Sequence, residues 1–485
     1  MSHVKKMMLD KRTRLVIWQR LVEVIEEYIA NVNQARVAPY LDADKIRSLL
    51  DPIIFKQSID PLQALNFVVQ GLWDYQMHVS HPQYFGLFNP ATTTISIIAD
   101  ALVATFNPQL ATWSHSPFAV EVEQHLIRFF ASQFGYNSEK VDGTFTTGGT
   151  EANHTAILTA LTHKFPEFAR RGVRGLEKQP KLYVSTESHH SLIRTARYCG
   201  LGSEAVQQIP VDDSLQLNVD ALTEQIEKDR ASGFAPFMIT ATAGTTNAGV
   251  VDPLARIAKV AAQEELWYHV DAAWGGAAVL STELRNILEG IEQSDSITFD
   301  THKWLNVPMG AGLFLTRHPE ILLNTFSIDA DYMPKDALGL NVVDPYVRSL
   351  QCSRRFIGLK VFLSLLVAGW DGYSTLIKHQ VKMGDLLRQE LKKSGWGIVN
   401  QTKLPVVCFV DQQRPEGRSV EFIESIAQGV VSSGKAWIST TRLKQNIPVL
   451  RACITNYRTE SEDIYALVRV LNEKRQDFYS KNSQT

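Results

Sequence analysis

Five segments place residue types capable of chemistry just beyond runs that read as short buried strands. In Ser296-Ile-Thr-Phe-Asp300-Thr-His302-Lys303-Trp304 a lysine follows a strand with few other charges beside it. Burial lowers the pKa of such an amine, which can then act as a nucleophile and hold an aldehyde cofactor as an imine. A surface lysine in a loop is the plain alternative, because most lysines are exposed. Upstream, Trp267-Tyr-His269-Val-Asp271-Ala-Ala-Trp-Gly-Gly276 ends a strand on a carboxylate followed by small residues. A ring nitrogen kept protonated by that carboxylate would neutralise it; a helix N-cap is the other reading of the same aspartate.

Thr146-Thr147-Gly148-Gly149-Thr150-Glu151-Ala152-Asn153 follows a strand-like run and opens a helix. Helix starts bind phosphate through free N–H groups and the helix dipole, Gly148 and Gly149 let the backbone come close, and Thr150 adds a hydroxyl. The segment is neither a P-loop nor a GxGxxG fingerprint, so nucleotide binding loses its main support, while a plain glycine turn stays open. Ser185-Thr-Glu-Ser-His189-His190-Ser191 offers an imidazole able to lie flat on an aromatic ring. Neighbouring histidines in a loop converge poorly on one ion and no supporting His/Glu spacing is present, so no metal is expected. Thr242-Ala-Gly244-Thr245-Thr246-Asn247 adds hydroxyls after another strand.

Ligands in open α/β sheets sit at the carboxyl ends of strands, so these five segments call for a sheet that collects their ends. Apolar runs at Lys181–Ser185, Phe237–Thr242, Trp267–Val270, Ser296–Phe299 and Gly312–Leu315 alternate with amphipathic helices, an order that implies a largely parallel sheet. Leu15, Val16, Trp18, Leu21, Val22, Val24 and Ile25 recur at helical spacing, so residues 1–80 are expected to be a helical arm packed on the body or on a second subunit. Residues 81–373 then form a large cofactor-binding domain. Gly369 and Gly372 mark a break before a smaller α/β domain over residues 374–485.

Bulk properties narrow the function. The 485 residues carry 49 basic and 51 acidic side chains, a net charge of -2, which gives no field for nucleic acid or an anionic membrane. Charges interrupt the apolar runs of the N-terminus and Val361 to Trp370 is too short to span a bilayer, so neither a signal peptide nor a membrane segment is expected. Cys199, Cys352, Cys408 and Cys453 are scattered without CxxC spacing, which points to a reducing, cytoplasmic compartment.

With HVDAAWGG followed by DTHKW, the chain resembles the group II pyridoxal-phosphate decarboxylases, the family of aromatic-L-amino-acid, glutamate and 2,4-diaminobutyrate decarboxylases, from about His81 to Trp370. The resemblance implies fold type I, pyridoxal 5′-phosphate as cofactor, and removal of the α-carboxyl group of an L-amino acid. It makes Lys303 the lysine that holds the cofactor, Asp271 the partner of the pyridine nitrogen, His189 the residue stacked on the ring and Thr246 the contact of its hydroxyl. Gly149, Thr150 and His302 would hold the phosphate, with Ser353 as a further cofactor contact. Asn324-Thr-Phe-Ser-Ile-Asp-Ala-Asp-Tyr332-Met-Pro-Lys is similar to the family's mobile catalytic loop, whose tyrosine, here Tyr332, protonates the carbanion and favours amine release. Gln351-Cys-Ser353-Arg354-Arg355-Phe is similar to the paired-arginine motif that relatives contribute across a homodimer interface.

Phe88, Trp113 and Arg354 are the expected substrate contacts. Tyr84, Phe85, Phe88 and Trp113 lean toward an aromatic substrate, although core packing explains them equally well, and Arg354 does not choose between aromatic and acidic substrates. Glutamate, aspartate and 2,4-diaminobutyrate stay open as substrates. An aminotransferase, an aldehyde-forming enzyme and a non-catalytic binding homologue are the rival readings.

Overall fold

The alternating apolar runs become a seven-stranded sheet in the computed structural model, which describes residues 7–89, 91–328, 333, 337, 339–444 and 446–482. Its strands are β1 (Asp142–Thr146), β2 (Pro180–Ser185), β3 (Val206–Ile209), β4 (Ala235–Thr242), β5 (Trp267–Asp271), β6 (Ser296–Asp300) and β7 (Gly312–Thr316). They lie in the order β1-β7-β6-β5-β4-β2-β3. The β2–β3, β2–β4, β4–β5 and β5–β6 pairs are parallel, and β7 alone runs against its neighbours β1 and β6.

Strands β2, β5, β6 and β7 are buried along their whole length, which is why they read as apolar runs and not as alternating patterns, and β1 is equally buried although Phe145 is its one large apolar side chain. Helices cover both faces. One apolar cluster joins the Pro117–Gln133 helix to the sheet through Phe130, Phe145 and Phe299; the other packs the Gly149–Lys164 helix through Ala156, Ile157 and Leu161. With the register Thr242↔Asp271↔Thr298, the carboxyl ends of β4, β5 and β6 come level on one edge.

The N-terminal segment contains helices Lys11–Asn31, Ala43–Leu50 and Pro61–Tyr75, none of which has a buried residue. Asp10 caps the first by accepting from Thr13 N at 2.8 Å, and Asp60 caps the third ahead of Pro61, which needs no N–H at that position. The C-terminal unit is an antiparallel sheet in the order β10-β11-β9-β8, with β8 (Trp396–Ile398), β9 (Val406–Asp411), β10 (Ser439–Leu443) and β11 (Ile447–Cys453). The Gly358–Lys393 helix joins it to the main sheet and bends at Gly369, whose φ of 64° favours glycine. Gly372 continues the helix, so the two units meet at a bend and not at a loop.

Residues 83–86 also belong mechanically to the C-terminal unit. Phe85 N donates to Trp437 O at 2.9 Å, Trp437 N to Gln83 O at 3.1 Å and Cys453 N to Phe85 O at 3.0 Å. Tyr84 stacks on Trp437 with centroids 5.3 Å apart, and the indole lies where a side chain at residue 86 would be, so only glycine fits at Gly86.

Candidate active site

A cavity of about 320 Å³ opens where β1, β2, β4, β5 and β6 end, within the size range of small-molecule sites. Gly149, Thr150, His189, Thr246, Asp271, His302 and Lys303 line it together. Phe88 joins them from the N-terminal side: its ring stacks on Trp274 at 4.5 Å, and Lys303 Nζ lies 5.9 Å from its centroid.

Lys303 sits on a short helical turn after β6, and Asp300, which ends that strand, holds its ammonium at 3.0 Å. Asp300 is 2% exposed and its Oδ1 has no hydrogen-bond partner. Glycines make room for this carboxylate: a Cβ at Gly149 would come 2.8 Å from Asp300 Oδ2, and one at Gly312 would come 2.8 Å from Oδ1. His302 points its ring toward Gly148, with Nδ1 3.0 Å from Ala311 O. Burial pushes its pKa below the ordinary value.

Asp271 ends β5 and lines the cavity. Oδ1 accepts from Ala273 N at 3.1 Å, as a turn-capping aspartate does, while Oδ2 accepts from Asn153 Nδ2 at 2.9 Å. The carboxylate is 4% exposed and forms no ion pair among the described residues, so a charge on a bound group is left to balance it. His189 Nδ1 lies 2.8 Å from Ser191 Oγ, and burial lowers the pKa of the ring against the pull of Asp271.

The lining fits a phosphorylated pyridine aldehyde: a helix start with two glycines, a buried carboxylate without an ion-pair partner among the described residues, and an amine share the cavity.

Trp113, Ser353 and Arg354 are not brought to this cavity within one chain. Trp113 donates from its indole to Glu121 Oε1 at 2.9 Å, and exposed Ser353 accepts from Gln109 at 3.0 Å. Arg354 is buried in an ion pair with Glu123 at 2.6 Å. Tyr332 lies outside the described residues. No group of three His, Cys, Asp or Glu among the described residues is placed to hold a metal ion.

Several site residues went unread in the sequence. Asp300, three residues before Lys303, was visible only as the end of a strand. Asn153 and His269 line up behind Asp271. Arg451 on β11 is 3% exposed and donates to the carbonyls of Thr246 (3.1 Å), Asn247 (3.2 Å) and Gly86 (3.0 Å), with its guanidinium 5.1 Å from the Phe88 centroid and Nη2 without a partner.

His269 is fully buried, and burial pushes its pKa down to about 4. The unfolded chain binds a proton there below about pH 6.5 and the folded one does not. This contribution to stability is complete above that pH and shrinks as pH falls toward 4, by about 1.4 kcal/mol per pH unit. Thermal melts of wild type and His269→Gln between pH 6.5 and 5 check it: the variant, lacking the titration, is expected to lose about 2 kcal/mol less.

Residues 47–411 match the family described as the pyridoxal-dependent decarboxylase conserved domain. The aromatic-L-amino-acid decarboxylase of Bacillus atrophaeus is 29% identical over 452 residues, 92% of each chain. The L-aspartate decarboxylase dtxS4 of Metarhizium robertsii is 31% identical over 349 residues, covering 71% of this chain and 69% of that one. The crystal structure of Oryza sativa TDC with PLP and tryptamine superposes with a TM-score of 0.91 over 97% of this chain and 99% of that one, at 22% identity, a likeness of fold.

Proposed function

Given that this chain belongs to the pyridoxal-dependent decarboxylase family, and so is a pyridoxal 5′-phosphate-dependent carboxy-lyase acting on an amino acid, we propose that the cavity between Asp271 and Lys303 carries the reaction, with an aromatic L-amino acid as substrate. The observation that carries this reading is the buried, unpaired carboxylate of Asp271 facing the same space as the Lys303 amine.

When bound, pyridoxal 5′-phosphate supplies an aldehyde that condenses with amines and a ring that takes up the electron pair left by the departing carboxyl group. Lys303 would hold the cofactor through its amine, Asp271 would keep a proton on the ring nitrogen, His189 would stack on the ring and Thr246 would contact its hydroxyl. The N–H groups of Gly149 and Thr150 at the helix start, with His302 beside them, hold the phosphate. Arg451, whose guanidinium shares the Phe88 ring with Lys303 and pairs with no carboxylate among the described residues, is the proposed partner of the substrate's carboxyl group. Arg354 would have to break a buried ion pair to do the same, at a cost of about 3–5 kcal/mol.

Trp274 lines the cavity and Phe88 stacks on it, and this aromatic pair supports the aromatic substrate over an acidic or diamino one. A homodimer completes the reading. The N-terminal helices leave Leu15, Trp18, Val22, Val68 and Leu72 exposed, and Phe106 and Phe118 are 79% and 70% exposed beside Gln109, the partner of Ser353. Apolar surface of that extent is what a second copy would cover, and Trp113 and Ser353 would then face the partner's cavity. The four cysteines are unpaired, in keeping with the cytoplasm.

Tyr332 is proposed to deliver the proton to Cα. Tyr332→Phe is expected to bind cofactor as wild type does but to lose about 10²–10⁴-fold in amine formation. Chromatography of products from the twenty amino acids plus 2,4-diaminobutyrate, with CO₂ counted in parallel, tests both points. Equal CO₂ and aromatic amine is the expected result; a keto acid, an aldehyde or an acid-derived amine would overturn the reading.

A further inference from the structure

We propose that Asn153 is a positioning residue for the reaction: its amide orients Asp271 and His189 together, and a one-way chain of hydrogen bonds from Trp267 fixes which way that amide points. The proposal rests on the placement of the cofactor between Asp271 and His189 argued above.

The direction of the chain follows from what each group is able to donate. An indole N–H only donates, and Trp267 Nε1 gives its hydrogen to Ser296 Oγ at 2.9 Å. The Ser296 hydroxyl then donates to His269 Nδ1 at 2.8 Å. His269 is neutral, so with Nδ1 accepting its one N–H is on Nε2, and it donates to Asn153 Oδ1 at 3.1 Å. The Thr298 hydroxyl donates to the same oxygen at 2.8 Å.

With Oδ1 turned toward two donors, the Asn153 NH₂ faces the other way. One hydrogen goes to Asp271 Oδ2 at 2.9 Å and the other to Ser191 Oγ at 2.9 Å. Ser191, accepting from the amide, passes its own hydroxyl hydrogen to His189 Nδ1 at 2.8 Å, and its backbone N–H approaches the same nitrogen at 3.3 Å. His189 thereby keeps its hydrogen on Nε2. The fixed point is Asp271, which only accepts: it requires the NH₂ on its side and so Oδ1 toward His269 Nε2, which also lies 3.3 Å from the Thr298 hydroxyl. Reversing the amide would set Oδ1 against a carboxylate and NH₂ against two donors. Asn153, Ser191, His269, Ser296 and Thr298 are all at most 1% exposed, so solvent does not replace a lost partner.

The consequence is that the residue beneath the ring nitrogen and the residue on the ring face are set by one side chain. Asn153→Asp keeps the size and replaces the donating amide with an acceptor against Asp271. Its holoenzyme is expected to bind pyridoxal 5′-phosphate at least about tenfold more weakly in equilibrium dialysis, with kcat down at least about tenfold and substrate KM moved less than about threefold. His269→Phe, which removes the N–H that aligns the amide, is expected to share that loss; His269→Gln, which restores an N–H there, is expected to recover most of it.

Wild-type cofactor affinity and kcat in Asn153→Asp would overturn the proposal, as would a loss confined to melting temperature. Equal impairment of His269→Gln and His269→Phe would overturn the direction of the chain. If Asn153→Asp does not fold, Ser191→Ala cuts only the arm to His189 and is read in the same way, with weakened cofactor binding expected and wild-type binding overturning. Asp271→Asn is the reference: if it too behaves as wild type, the placement of the cofactor fails, whereas a failure of Asn153→Asp alone sinks only the network.

Discussion

Replacing Lys303 by alanine is expected to stop CO₂ release, by more than about 10³-fold, and to leave no protein-bound cofactor after borohydride reduction and denaturation. The reason is positional. Lys303 is the one amine lining the cavity, and Asp300 anchors it there at 3.0 Å, so its loss removes both the covalent tether and the group that later gives way to substrate. Intact-mass measurement after reduction reads the tether directly. A Lys303→Ala protein that still carried the reduced cofactor, or that turned over within tenfold of wild type, would show that another amine does the work.

Asp271→Asn is expected to lower kcat by about 10²–10³-fold while the cofactor remains bound, because the substitution keeps the shape and removes the charge. The asparagine oxygen still accepts from Ala273 N, so the turn after β5 survives. What disappears is the negative charge proposed to hold a proton on the ring nitrogen, and without that proton the ring would be a poorer acceptor of the electron pair left by the carboxyl group. An amide at residue 271 also meets the NH₂ of Asn153 donor to donor, which adds to the loss. Single-turnover decarboxylation, with bound cofactor measured in the same sample, separates the two effects. A variant with wild-type turnover and full cofactor would remove the electrostatic argument.

Much of this site was legible because its parts are local. A buried strand reads as an apolar run, and the residue that ends it stands next to it in the sequence; Asp271 after β5 and Lys303 after β6 are visible for that reason. The glycine pair and the helix that follows it were legible through spacing as well. The antiparallel course of β7 was not, since its five buried residues carry no sign of direction. Asn153 was quoted only as the end of a phosphate-binding segment; nothing in its own neighbourhood says that it reaches Asp271 and His269 on another element. Arg451 was hidden for the same physical reason, because β11 meets Phe88 only after the C-terminal sheet docks. The burial of Arg354 against Glu123, on another element, was likewise not legible from its motif.

The stitching of residues 83–86 into the C-terminal sheet ties access to architecture. Phe88, the aromatic wall beside Lys303, is carried on a strap whose anchors are Trp437 and Cys453, and the only bend in the helix joining the two units is at Gly369. Any tilt of the C-terminal sheet about that bend would draw the strap with it and shift Phe88 relative to Lys303.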